Sequence, residues 1–173
     1  DDYIQLQPLI LTENISISLW VKLDTTQSQT WAKIFQFYKD YGNNYARVGI
    51  TRNNNGNDYM ASYATHLEGA ATSEVYFNIG TFDLDTWYHL VWVIKNDGVW
   101  DIYKDNVKIS NDNVLKAPVT SITYNVIRLG GHASTETPVS LIKGSIDDFR
   151  IYSKALSVTE VNAIYNKIES KFV

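Results

Sequence analysis

A chain of 173 residues with net charge −4 is about one domain long, and a chain of this size buries enough surface for one packed core without covalent staples. It contains no cysteine, which excludes disulfides, cysteine-based zinc sites and thiol chemistry. The 15 lysines and arginines are scattered, so no basic footprint for nucleic acid or an anionic membrane surface forms, and no apolar run reaches the roughly 18 residues of a membrane span.

Segment 3–6 is the first strand candidate. From Asn14 to Leu23, Ile15, Ile17, Leu19, Val21 and Leu23 alternate with Asn14, Ser16, Ser18, Trp20 and Lys22, the period of a half-buried strand. That alternation sends Trp20 away from the core face, as an exposed stacking platform or, the favoured reading, buried beneath a loop or a C-terminal helix. Further strands are expected over 33–38, 44–52, 59–65 and 73–79. WYHLVWVIK, 87–95, is apolar on both faces and reads as a central strand covered on two sides. Asn96-Asp97-Gly98 turns the chain back into VWDIYK, because Asp-Gly supplies positive φ angles, and Asp105-Asn106 turns it again into VKIS. The last strand candidates are 122–129 and 140–152. Ser157 to Glu160 has the form of a capping box, and Val158, Val161, Ile164, Tyr165 and Ile168 fall on one face of a helix over 157–168. That helix is expected to lie on the sandwich, closing a sheet edge or the interface between sheets. Many short strands with polar turns and one helix argue for an all-β sandwich, with 1–173 a single domain excised from a larger protein.

The strands ISISLWVKL and WYHLVWVI, the segment DIYKDNVKI, the IRLGG element and the ending GSIDDFRIYSKALSVTEVNAIY together resemble the laminin G-like members of the concanavalin A-like lectin/glucanase superfamily. A weaker similarity runs to the lectin-like jelly-roll subdomain of clostridial neurotoxins. Both resemblances imply a two-sheet antiparallel jelly roll with one short C-terminal helix, and neither fixes a ligand.

The superfamily includes glucanases whose strand carries Glu-x-Asp-x-(x)-Glu, since same-face carboxylates roughly 5–5.5 Å apart serve as nucleophile and acid/base. No Glu-x-Asp occurs in this chain, and His66, His89 and His132 are singletons without metal-ligand spacing. No Walker loop, nucleophile elbow or dinucleotide turn is present. No cofactor is required. Asp147-Asp148 raises the question of a metal pair. Ile146 is at an even position and Phe149 and Ile151 at odd ones, so a β-bulge at the two aspartates would return all three to one face. One Asp then bonds nearby backbone or Arg150 and the other faces solvent. The alternative is a structural Ca²⁺ site held by Asp147, Asp148 and backbone carbonyls. RNNNGNDY, 52–59, lacks the glutamate of a calcium loop and reads as a polar hairpin loop.

Three function classes stay open. The leading one is a non-catalytic carbohydrate-binding or adhesive module of an extracellular or surface protein, with a glycan or glycoprotein as partner beside other domains of the parent chain. Asp40, Tyr41, Asn43, Asn44, Tyr45 and Arg47, joined by Tyr63, His66 and His132, are the expected ligand-binding residues, because sugars are held by aromatic faces together with planar amides and charged groups. The second class is a structural or receptor-contact domain of a toxin, adhesin or viral surface protein, and the third a divergent glycosidase or lyase.

Overall fold

The computed structural model describes residues 3–11, 14–25, 32–39, 47–53, 59–68, 71–97, 99–110, 122–132 and 141–169. Its strands are β1 (Ile4–Leu6), β2 (Leu9–Leu11), β3 (Ile15–Leu23), β4 (Lys33–Tyr38), β5 (Arg47–Asn53), β6 (Tyr59–Glu68) and β7 (Ala71–Thr81). They continue as β8 (Trp87–Ile94), β9 (Trp100–Lys104), β10 (Val107–Lys108), β11 (Ile122–Tyr124), β12 (Val126–Leu129) and β13 (Gly144–Tyr152), followed by the helix α1 (Val158–Glu169). One sheet has six strands in the order β1-β12-β4-β5-β6-β7 and the second has five in the order β10-β9-β8-β3-β13, with β2 and β11 forming a separate pair. Every pairing is antiparallel, and the all-β jelly-roll sandwich with a C-terminal helix is as expected.

The alternating residues of β3 meet their counterparts on β8, with Ile17 opposite Trp92 and Leu19 opposite Leu90. Together with Phe35, Phe37, Ile127 and Leu129 of the facing sheet they form the main core. Trp92 meets the Phe35 ring edge-on across the two sheets, with centroids 5.3 Å apart. At the β9–β10 hairpin Asp105 and Asn106 both adopt positive φ, 48° and 64°, as a two-residue turn of this hand demands. Gly98 lies outside the described residues.

Four expectations need correction. Segment 122–129 is two strands, because the core-facing phase switches at Asn125: Tyr124 and then Ile127 enter the core as β11 pairs with β2 and β12 with β1 and β4. β3 is buried on both faces, since Ser16, Ser18 and Trp20 are covered as well as the alternating aliphatics. The cover is α1, which packs Val161 and Ile164 on Val91, Val93 and Tyr103 of the five-stranded sheet's outer face, so the helix caps a face where closure of an edge or sheet interface was expected. Its start is the predicted capping box: Ser157 Oγ accepts from the Glu160 N–H at 3.3 Å and the Ser157 N–H donates to Glu160 Oε2 at 2.9 Å. Val158, expected on the packed face, is exposed. Among the described residues no helix is long and apolar enough to cross a membrane.

Candidate functional site

The sandwich has two outer faces, and α1 occupies one of them. Beneath it Trp20 is buried and stacks on Tyr165, with ring centroids 5.7 Å apart and planes 14° from parallel. Ser16 Oγ donates to the Lys154 carbonyl at 2.8 Å and accepts from the Leu156 N–H at 3.0 Å, tying β3 to the helix approach. His89 is fully buried, with Nε2 2.9 Å from Ser18 Oγ. Burial lowers its pKa to about 4, so the imidazole is neutral at physiological pH. These polar groups hold the helix down, which fits the structural role expected of this histidine.

On the six-stranded sheet, Phe35, Phe37, Ile127 and Leu129 face the core, so Gln36, Tyr38, Val126 and Arg128 take the other face, where all four are buried as well. The register continues across the sheet. Gln5, Arg128, Gln36, Gly49, Tyr63 and Tyr76 occupy one cross-strand row, and Val126, Tyr38, Arg47, Thr65 and Glu74 the next. Gly49 puts no side chain in the first row, between Gln36 and position 63. Arg128 is buried and works as an anchor: Nη1 donates to the His132 carbonyl at 2.7 Å, Nε faces Gln5 Oε1 at 3.5 Å, and the guanidinium carbon lies 5.0 Å from the Tyr3 ring centroid. The His132 ring lies beside that of Tyr38, 6.2 Å between centroids.

Among the residues expected to bind ligand, Asp40, Tyr41, Asn43, Asn44 and Tyr45 lie outside the described residues, as does 54–58 of the Asn-rich segment. Arg47 opens β5 opposite Thr65, and Tyr63 is opposite Gly49, which places 47 and 63 on the same face in adjacent rows. His132 follows β12 at the end of that face. His66 pairs with Ser73 and by strand alternation takes the face opposite to Tyr63. Sequence reasoning missed Gln5, Gln36, Tyr38 and Arg128. The available signal was a polar residue set between apolar ones, Gln36 in IFQF and Arg128 in VIRL, each polar side chain opposing the core phase.

The aspartate pair forms the expected bulge. Asp147 pairs with Trp20 and Arg150 with Ser18, so β13 carries one extra residue, and Asp148 adopts φ 51°. Ile146, Phe149 and Ile151 accordingly all pack against the core. Asp147 Oδ1 accepts from the Asp148 N–H at 2.6 Å, and Asp148 Oδ1 accepts from Arg150 Nε at 2.9 Å and Nη2 at 2.6 Å. Both aspartates border a cleft of about 320 Å³ between the edges of the two sheets, whose lining includes Ile4, Leu129, Ile146 and Phe149. Among the described residues no group of three or more His, Asp or Glu is placed to hold a metal ion. Asp148→Ala is expected to lower stability by about 1–3 kcal/mol, since it removes a two-donor charged contact that shapes the bulge. Denaturant melts of the variant and the parent check this, and an unchanged midpoint would contradict it.

The Laminin_G_3 model of the concanavalin A-like lectin/glucanases superfamily matches residues 1–162, and the chain belongs to that family. Comparison with curated proteins gives no match. Among solved structures, the chain is similar to the CBM40 of the Ruminococcus gnavus IT-sialidase, at 14% identity and TM-score 0.66 over 94% of this chain and 98% of that one. It is similar to the heptameric SAP-like pentraxin of Limulus polyphemus, at 13% identity and TM-score 0.65 over 94% and 75%. It also resembles the binding domain of botulinum neurotoxin serotype G, at 17% identity and TM-score 0.59 over 94% of this chain and 38% of that chain. These likenesses are of fold.

Proposed function

We propose that this chain is a non-catalytic recognition module that binds carbohydrate on the outer face of its six-stranded sheet and the loops beside it. The observation that carries the reading is the asymmetry of the sandwich: α1 occupies one outer face, while on the other, beyond the buried Gln36, Tyr38, Val126 and Arg128, the same cross-strand rows continue past Gly49 through positions 47, 63, 65, 74 and 76. Aromatic and planar polar groups on a rigid sheet are what a pyranose needs, faces for its C–H patches and donors and acceptors for its hydroxyls. Arg128 acts as a positioning residue, holding Tyr3, Gln5 and the His132 carbonyl from beneath. Support also comes from the names of the structures that share the fold, a sialidase CBM40 and a neurotoxin binding domain. On this reading the module belongs to an extracellular or surface-exposed protein, its partner is a glycan or glycoprotein, and residues 40–47 contribute to binding.

Asp147 and Asp148 are assigned to the β13 bulge, without a calcium ion. Chelator and added calcium are therefore expected to leave the melting temperature unchanged, and a calcium-dependent rise would overturn the assignment.

A glycan array probed with the whole chain tests the main reading. For the sugar retained best, Arg47→Ala and Tyr63→Ala are each expected to weaken binding by about tenfold or more without moving the melting temperature. Retention of no glycan, or full affinity in both variants, would overturn it.

A further inference from the structure

A second groove lies away from that sheet face, between β13 and α1. Its volume is about 320 Å³, and Arg150, Tyr152, Lys154, Glu160 and Lys167 line it together with Leu156, Ala163 and Ile164. Three cationic side chains and one carboxylate thus share a groove on a protein of net charge −4. Asp148 takes Nε and Nη2 of Arg150, so the Nη1 corner of the guanidinium keeps no hydrogen-bond partner among the described residues. The phenol of Tyr152 lies beside that guanidinium and helps to hold its pKa above the usual value, second to Asp148. Lys154 donates to Glu160 Oε1, a contact that already seats a carboxylate in the groove. Glu160 is held to about pKa 2, first by Lys154 and then by the Ser157 N–H and hydroxyl.

We infer that this groove binds an oxyanion, a sulfate ester or carboxylate of the kind carried by acidic sugars, between Arg150 Nη1 and the ammonium groups of Lys154 and Lys167. A guanidinium edge beside ammonium donors suits an anion with several acceptor oxygens. The Glu160 carboxylate competes internally for the same donors. The groove is separate from the sheet face proposed above, so either can fail alone.

Amide chemical shifts of the whole chain, followed during titration with sodium sulfate and with sodium glucuronate against sodium chloride at equal ionic strength, test the inference. Saturable shifts confined to β13 and α1 are expected for sulfate, glucuronate or both, which also identifies the anion class. Glu160→Gln keeps the capping box and removes the competing charge, and it is expected to tighten binding about two- to fivefold. The Lys154→Gln, Lys167→Gln double variant is expected to bind at least about tenfold more weakly. Shifts that track ionic strength alone, or that centre elsewhere, would overturn the inference. So would an affinity unaffected by Glu160→Gln and by the double variant, both of which leave the core untouched.

Discussion

Lowering the pH from 7 to 4 is expected to cost this protein about 3 kcal/mol of stability through His89 alone. The unfolded imidazole titrates near 6.5, whereas burial under α1 holds the folded one to about 4; the Asp148 charge opposes that shift and the Arg150 charge adds to it. The unfolded chain therefore takes up the proton first. The contribution is complete above pH 6.5 and is lost progressively as pH falls toward 4. The packing explains why the charge is resisted. Tyr165 and Trp20 rings stand 5.7 and 5.1 Å from the imidazole, Nε2 is already bonded to Ser18, and among the described residues Nδ1 has no hydrogen-bond partner for an added proton. Urea melts at pH 7, 5.5 and 4 measure the slope, and His89→Gln should flatten it. Glu160, displaced from 4.5 to about 2, begins to lose its own contribution below about pH 5, so the step from pH 7 to 5.5 reports His89 and the comparison with His89→Gln removes the Glu160 share from the pH 4 point. An equal slope in the variant would contradict the account.

Gly144→Ala should be of comparable size, about 3 kcal/mol or more, equivalent to a melting-temperature drop on the order of 10 °C. Gly144 opens β13 opposite Leu23 of β3. A Cβ there would stand 2.2 Å from the Lys22 carbonyl oxygen and 3.0 Å from Leu23 Cα. Both are backbone atoms inside the ladder, so no side-chain rotation relieves the overlap and the strands must separate. The same end of the β3–β13 pair holds the Asp24 N–H to Lys143 O bond at 2.9 Å, which the separation would also strain. A variant that melts within a degree or two of the parent would show that the approach is looser than this.

The sandwich was readable because each buried strand carries its covering in its own pattern, alternation in β3 and apolar residues on both faces in β8, and the β13 bulge was readable because Ile146 and Phe149 fall out of phase. Those signals are local. Trp20 lies beneath α1, within the favoured reading of burial under a loop or a C-terminal helix, but Ser16 and Ser18 carry no signal that a helix 140 residues later covers them too. Strand β2 was missed because a three-residue LIL after Pro8 is too short to show a period. The outer row of the six-stranded sheet was missed for a different reason: Gln5, Gln36 and Arg128 become neighbours only through pairing between distant strands. Register also separates His66 from Tyr63, a distinction that spacing along one strand allowed but residue type obscured.

The central claim is that recognition takes place on the outer face of the six-stranded sheet. Amide chemical shifts of the labelled chain, recorded during titration with the neutral glycan that an array retains best, test it most directly. The account predicts saturable shifts along β4, β5, β6 and β12 and in residues 40–46, with α1 and β13 unmoved. Shifts that centre on α1 and β13, or no saturable shift for any retained glycan, would contradict it.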